Sequence, residues 1–501
     1  MTVADSVIEQ AKSGVRWVGI GQVGNRMLSM ASTIVLARLL MPADFGVIAL
    51  ARLVLGFILL LSAWGIDAAI IVEERRVKQI ANVAFWINLG IMLVMGTIVV
   101  VISPWVKKFY ATPVLQPILI WMGIGLVLQA FELVPRTLLN RELNYKYLTA
   151  INLSVELITN FLVIGLAFWG FGVWSLVIPQ ILASPLRIVP FWIKTKWSPS
   201  LYVEKGDFKR VLSFGKSVLG AEIVRYLNTH TDFFLIGKLL SRAKLGYYSF
   251  AFNLANWPVE NIVKVINTVS LPALSKVQSD LAEMRRLFLR MTEMVSLVTL
   301  PLFGILVGIT YEFVVVIYGV KWIPAVLPLQ IIVIYGIMRS LFSPAGRIFL
   351  IQKKPHYLFF INLLQLPLLV AAVWLGVRQA EIMGAAIGVA IVLSFGGLLT
   401  LIVVSKMLKM KIPEFAAVLF PGFICTTIFL ISGWLFKRLL FGLGLSAVLI
   451  LLFYLLFAGS IYALSLRLIY PRQFGDFVRT AVSIIGVAPR RILDKMRGNR
   501  K

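Results

Sequence analysis

Six basic residues stand inside otherwise apolar stretches of this sequence: Arg16, Arg26, Arg52, Arg225, Lys264 and Arg339. A charge in hydrocarbon is costly, and such residues face protein, one another or a water-filled cavity. Their neighbours are patterned. Gln22, Asn25, Ser29 and Ser32 are spaced three, four and three residues apart, and so are Glu222, Arg225, Thr229 and Asp232. That spacing is one face of a helix. Arg26 lies one position beside the first stripe, Arg225 lies on the second, and Lys264 closes a face with Asn253, Asn256 and Glu260. A second set is acidic: Asp232, Glu222, Glu156, Glu132 and Glu293 all fall within or near apolar stretches. Fixed guanidinium groups can hold an anion. Buried carboxylates hold protons more tightly than in water, or ligate Na⁺. The plainer role is mutual neutralisation: Glu222 and Arg225 are three apart, Glu260 and Lys264 four apart, and either pair can close on one helix. Arg16, near a span end, can simply reach the interface.

The elements that must carry these residues follow from composition. Of 501 residues, 59% are hydrophobic and 14% charged, with a mean hydropathy of +0.91. A soluble chain carries about 25% charged residues, so a soluble enzyme and a single-anchor protein are both excluded. The apolar stretches are long and continuous rather than alternating, which excludes a β-barrel. One cysteine, Cys425, and two histidines, His230 and His356, leave no disulfide framework and no Cys- or His-based metal centre. The excess of 49 Lys and Arg over 22 Asp and Glu collects at span ends, so it indicates membrane topology and no nucleic acid partner. The start of the chain lacks the basic, apolar and small-residue pattern of a cleavable signal.

Fourteen apolar segments are expected, near 15–40, 46–71, 80–103, 114–139, 147–169, 172–194, 211–239, 245–270, 287–310, 325–350, 357–377, 382–405, 414–436 and 443–469. Pro258 and Pro272 are expected to kink the eighth. One set of loops holds Arg75, Arg76, Lys78, Arg141, Lys146, Lys194, Lys196, Lys205, Lys209, Arg210, Lys276, Arg285, Arg286, Arg290, Lys353, Lys354, Lys406, Lys409 and Lys411. The alternate set holds fewer: Lys107, Lys108, Lys238, Arg242, Lys244, Lys321, Arg378, Lys437 and Arg438. The positive-inside rule then puts both termini in the cytoplasm of a multi-pass bacterial inner-membrane protein. Residues Leu466–Lys501 contain nine Lys or Arg and two Asp. They fit a segment lying on an anionic leaflet and a disordered tail equally well.

The chain also repeats. Ala37–Gly46 and Gly237–Gly246 align without a gap: Leu39, Leu40, Ala43 and Gly46 recur as Leu239, Leu240, Ala243 and Gly246, and Arg38 as Lys238. The two polar stripes keep the same register. An offset of six helices makes this a parallel repeat. The expected fold is all-α: a six-helix lobe over 1–200, a second over 201–410, two extra helices over 411–470 and a basic tail over 471–501.

Leu39-Leu40-x-Pro42-x-Asp44-Phe45-Gly46, followed by Ala49-Leu50, resembles the first-loop signature of the Wzx-type polysaccharide transporters. These belong to the multidrug/oligosaccharidyl-lipid/polysaccharide exporter superfamily. Gly170-Phe171-Gly172-Val173-Trp174-Ser175-Leu176, Asp232-x-x-x-Ile236-Gly237-Lys238 with Leu245-Gly246-Tyr247-Tyr248, and Leu271-Pro272-Ala273-Leu274-Ser275-Lys276-Val277-Gln278 resemble the same family. The resemblance runs from about Ser13 to Leu408. It implies a transporter rather than an enzyme, with twelve core helices and two additional ones. It implies movement of an undecaprenyl-diphosphate-linked oligosaccharide across the inner membrane for O-antigen, capsule or exopolysaccharide. Polysaccharide polymerase and export machinery are implied as partners.

With that substrate, Arg26, Arg52, Arg225 and Lys264 are expected to bind the diphosphate, since fixed cations offset its desolvation. Asp232, Glu222 and Glu156 are expected to couple transport to H⁺ or Na⁺, with no other cofactor. Ser213-Phe214-Gly215-Lys216-Ser217 is not a nucleotide loop, because Arg210 stands where its first glycine is required. Competing readings are a multidrug exporter of the same superfamily, an integral-membrane polymerase or glycosyltransferase, and an assembly scaffold. The short outer loops weigh against the enzyme, the intramembrane arginines against the exporter, and the duplicated polar face against the scaffold.

Overall fold

A computed structural model describes residues 3–62, 66–74, 76–200, 219–263, 274–475 and 478. Among them, ten helices are long and apolar enough to cross a membrane. The chain divides into two compact units, Met1–Gly246 and Tyr247–Lys501.

The first unit contains α1 (Val3–Leu39), α2 (Pro42–Ser62), α3 (Ile66–Val72), α4 (Val77–Phe109), α5 (Leu115–Arg141), α6 (Tyr145–Phe168), α7 (Trp174–Thr195) and α8 (Leu219–Leu239). Helix α1 packs on α6, α4 on α5, α7 on both α5 and α6, and α2 on α8. Two apolar segments differ from expectation. Helix α1 begins twelve residues early, because Asp5, Glu9, Gln10 and Lys12 hide a continuous helix from a reading based on apolar runs. The second segment is described as α2 and α3, with residues 63–65 between them outside the described residues; the first turn of α3 carries Asp67.

Helix α9 (Arg242–Pro258) runs into the second unit. After Pro258 the backbone widens into a π-helical turn, Val259–Val263. The expected bend at Pro258 takes this form because proline has no N–H to donate and its ring crowds the preceding turn. Pro272 lies outside the described residues. The second unit continues with α10 (Leu281–Gly308), α11 (Val326–Phe342), α12 (Ala345–Ile351), α13 (His356–Met407), α14 (Ile412–Gly442) and α15 (Ala447–Ile469). Helix α10 packs on α11 and α14, α11 on α13, and α14 on α15. Helix α13 is two helices: Ala380 and Glu381 leave helical geometry, which divides the expected eleventh and twelfth spans. The expected first, seventh and eighth spans are α1, α8 and α9, which are helical but too polar or too short to stand among the ten.

In lipid there is no hydrophobic drive between helices, so packing must come from close contact. Phe85 supplies it in the first unit, its ring meeting Trp86, Phe131, Trp192 and Trp197 at 5.3–6.2 Å. Phe342 and Phe415 stack in the second unit at 6.0 Å. The outward faces stay apolar and exposed, as at Phe161, Ile391 and Leu456, which suits lipid contact.

The motifs have local causes. Pro42 opens α2, and the Asp44 carboxylate accepts from the Met41 N–H at 3.0 Å. Proline at the first helical position and an acid two residues later are helix-start chemistry. The repeat uses the other half of the same device: the Lys244 N–H donates to the Ser241 hydroxyl at 3.4 Å. Gly170 and Gly172 have φ of +82° and +52°, which side-chain-bearing residues rarely adopt. Gly46 and Gly246 touch reciprocally. A Cβ at Gly46 would lie 1.9 Å from the Arg242 carbonyl oxygen, and one at Gly246 would lie 1.8 Å from that of Pro42. Residues 42 and 46 thus meet 242 and 246 as equivalent partners, the pattern of an approximate two-fold relation.

Candidate functional site: charged faces within the spans

Close helix packing leaves the polar stripe of α1 partly uncovered. Gly21 and Gly24 face Thr149 and Leu153 of α6, where added Cβ atoms would come within 2.9 Å. On the remaining faces Gln22 and Ser29 are exposed, Asn25 and Arg26 half-buried, and Ser32 buried. Arg52 projects from α2 beside fully buried Ala51; its side chain is exposed although protein atoms crowd round it.

Helix α8 is fastened to α2 by Tyr226. Its hydroxyl donates to the Leu53 carbonyl at 2.6 Å and fits where Gly56 has no side chain. Its ring meets Phe57 and His230. The contact lies one residue beyond both Arg52 and Arg225, so these two candidates flank one helix–helix seam. Arg225 pairs with Glu222 on its own helix through Nε at 2.9 Å and through Nη2. The two side chains remain 62% and 37% exposed. Glu222 stands in the first turn of α8, so the pair occupies one end of that helix, and an exposed ionised pair suits water rather than lipid.

The acidic candidates occupy different settings. Asp232 is buried on α8, and its Oδ1 accepts from the Phe233 N–H at 2.9 Å. Glu156 is half-buried on α6 and accepts from Asn160 Nδ2 at 3.1 Å. Glu132 on α5 is neutralised by Arg136 and Arg187, at 3.6 and 3.7 Å. Lys264 lies outside the described residues.

Tertiary contacts also give charges partners that spacing does not suggest. Arg339 of α11 donates to Asn256 Oδ1 at 2.6 Å and to Glu260 Oε1 at 2.7 Å, on the π-helical turn. Such turns recur at functional positions. Lys437 of α14 reaches Glu312 at 2.9 Å, where the carboxylate is only 2% exposed. These partners are 79 to 125 residues apart, beyond any helical period. The only sequence signal was the rarity of a charge in an apolar run. Among the described residues no group of His, Cys, Asp and Glu could hold a metal ion.

Among the described residues, ten membrane-length helices, a duplicated helix–helix crossing and charged helix faces define a multi-pass membrane protein of transporter architecture. The chain belongs to the family described as polysaccharide biosynthesis protein, which matches residues 35–327. It is 24% identical over 405 residues to the lipopolysaccharide biosynthesis protein WzxC of Escherichia coli (strain K12), covering 80% of this chain and 82% of that one. It is 24% identical over 361 residues to the teichuronic acid biosynthesis protein TuaB of Bacillus subtilis (strain 168), covering 71% and 74%. The fold is shared with the lipid II flippase MurJ in an inward closed conformation. The TM-score is 0.70 at 13% identity, covering 91% of this chain and 99% of that one. It is also shared with an inward-facing multidrug resistance MATE transporter, at TM-score 0.60 and 14% identity, covering 77% and 94%.

Proposed function

We propose that this protein is a secondary transporter that flips an undecaprenyl-diphosphate-linked oligosaccharide from the inner to the outer leaflet of the bacterial inner membrane, for cell-surface polysaccharide assembly. The observation that carries this reading is the exposed arginine pair at one seam, Arg52 on α2 and Arg225 on α8. Arg52 sits on an otherwise apolar helix, and Arg225 on one that carries a polar stripe. A diphosphate entering hydrocarbon loses its hydration, and guanidinium groups replace it with charge-assisted hydrogen bonds. Arg26, half-buried on α1, and Lys264 complete the proposed ligand set. Family membership supports the substrate class, since the relatives are named for lipopolysaccharide and teichuronic acid biosynthesis.

In this reading Asp232, Glu222 and Glu156 couple transport to a proton or sodium gradient. The two six-helix lobes are 1–200 and 201–410, both termini are cytoplasmic, and a polymerase receives the product. The deciding experiment is reconstitution into liposomes with a fluorescent undecaprenyl-diphosphate glycan and a leaflet-accessibility assay. Protein-dependent exposure of the glycan supports the proposal, and its absence with active control transporters overturns it. The shared fold with a multidrug transporter favours one rival, a multidrug exporter of the same superfamily. Efflux of a cationic dye from the same liposomes would reveal it.

A further inference from the structure

Within the second unit, α10, α14 and α15 enclose a recess of about 410 Å³. It lies at the Gly308 end of α10 and near the C-terminus of α14, and its wall includes Leu430, Trp434, Lys437, Arg438 and Phe441. Tyr454 of α15 forms its floor and is 1% exposed. The tyrosine fits because two facing residues are glycines: a Cβ at Gly308 would stand 2.0 Å from its hydroxyl, and one at Gly433 2.9 Å.

The two cations of the wall have different employment. Lys437 donates to the Gly308 carbonyl at 3.1 Å and to Glu312 at 2.9 Å, so its charge is consumed by a buried carboxylate. Arg438 has no carboxylate partner among the described ion pairs; its guanidinium rests 3.9 Å over the exposed indole of Trp434. Two cations against one carboxylate leave a single positive charge. A stacked arginine still presents its N–H edges to a ligand, and a phosphate accepts two of them at once. The rest of the wall is apolar, and Phe441, Leu439 and Leu435 continue it as exposed surface.

We propose that this recess binds an anionic phospholipid. Arg438 takes the phosphodiester, and the acyl chains follow the exposed Leu435–Ile431 surface toward the bilayer centre. The charge balance selects the class. A lipid of net charge −1 matches the one uncompensated cation, whereas a zwitterionic lipid brings its own cation to the same place and a polyprenyl diphosphate brings two or more negative charges. A free phosphate has no use for the apolar wall. The loop charges proposed above put the recess at the outer leaflet. The lipid would cover the end of the α10–α14–α15 cluster and screen the Glu312–Lys437 pair from water. This site is separate from the arginine seam and does not depend on what the protein transports.

The test uses the full-length protein taken from vesicles of equal phosphatidylglycerol and phosphatidylcholine, with bound lipid counted by native mass spectrometry. A photoreactive phosphatidylglycerol locates the contact by peptide mapping. Wild type should retain phosphatidylglycerol over phosphatidylcholine and be labelled between Trp434 and Phe441. Arg438→Gln should lose about tenfold in retention, the worth of one charge-assisted contact, while Arg438→Lys keeps part. Equal retention by wild type and Arg438→Gln would overturn the proposal, as would equal retention of the two lipids. Displacement by inorganic phosphate at constant ionic strength would show a free-anion site and would also overturn it.

Discussion

Removing Arg225 separates its two possible employments. If Arg225 only neutralises Glu222, the loss falls on folding. Geometry limits that loss. The pair is local, three residues apart, and more than a third of each side chain is exposed. Pairs of this kind stabilise by about 0.2–1 kcal/mol, which corresponds to a melting shift of roughly 1–4 °C for a domain of this size. A hydrogen bond to a charged ligand is worth about 1.5–3 kcal/mol, or roughly tenfold to more than a hundredfold in binding. Arg225→Ala should therefore reach the membrane at wild-type level and melt within about 4 °C of it. Its initial rate of glycan exposure in liposomes, below saturation, should fall at least about tenfold. Arg225→Lys should keep charge but lose the fork, and so retain part of the rate. A melting point lowered by 10 °C or more, far beyond what the exposed pair can supply, with an unchanged rate per folded molecule, would refute the reasoning.

The Glu312–Lys437 pair is the opposite case, because its carboxylate is 2% exposed: Lys437→Met should destabilise by about 3–5 kcal/mol, and Glu312→Gln/Lys437→Met should recover much of this in a thermal melt. Gly46→Ala and Gly246→Ala should each lower folded yield, since the new Cβ meets backbone with no side chain to give way. Gly165→Ala, with nothing within 4 Å, should be neutral or stabilising by up to about 1 kcal/mol. On a Cys425→Ser background, cysteine at Ser279 or Lys409 should resist an impermeant outside reagent, and cysteine at exposed Val320 should react; the reverse pattern would invert the topology. Asp232→Asn should abolish gradient-driven flipping while leaving protein level unchanged, and flipping that persists with all gradients collapsed would remove Asp232 from coupling.

The parts of the fold that sequence makes legible are those with a local cause. Apolar runs mark most helices, Arg378 marks the bend that divides α13, and the spacing of Glu222 and Arg225 announces their pair. What hides does so for physical reasons. The α2 and α3 stretches are equally apolar, so hydropathy reads them as one segment. The polar start of α1 is helical without being apolar. Local spacing offers Glu260 the nearby Lys264, but the structure shows it bonded to Arg339 on another helix. Two basic residues read as topology markers also work as clamps. Arg141 donates to the Ile70 and Ile71 carbonyls at 2.9 and 3.3 Å. Arg285 donates to the Lys409 carbonyl at 3.1 Å and pairs with Glu414. A rule that counts charges cannot distinguish a marker from a clamp.

The reciprocal touch of Gly46 and Gly246 changes what the internal similarity means. Two copies of a duplicated segment are free to drift apart wherever each meets different neighbours. Here each copy's neighbour is the other copy, so a side chain gained on either side damages both at once. Neither position can record the separate history of its half. The resemblance between Ala37–Gly46 and Gly237–Gly246 is thus the imprint of a mutual steric veto, and it says little about how recently the two halves were one.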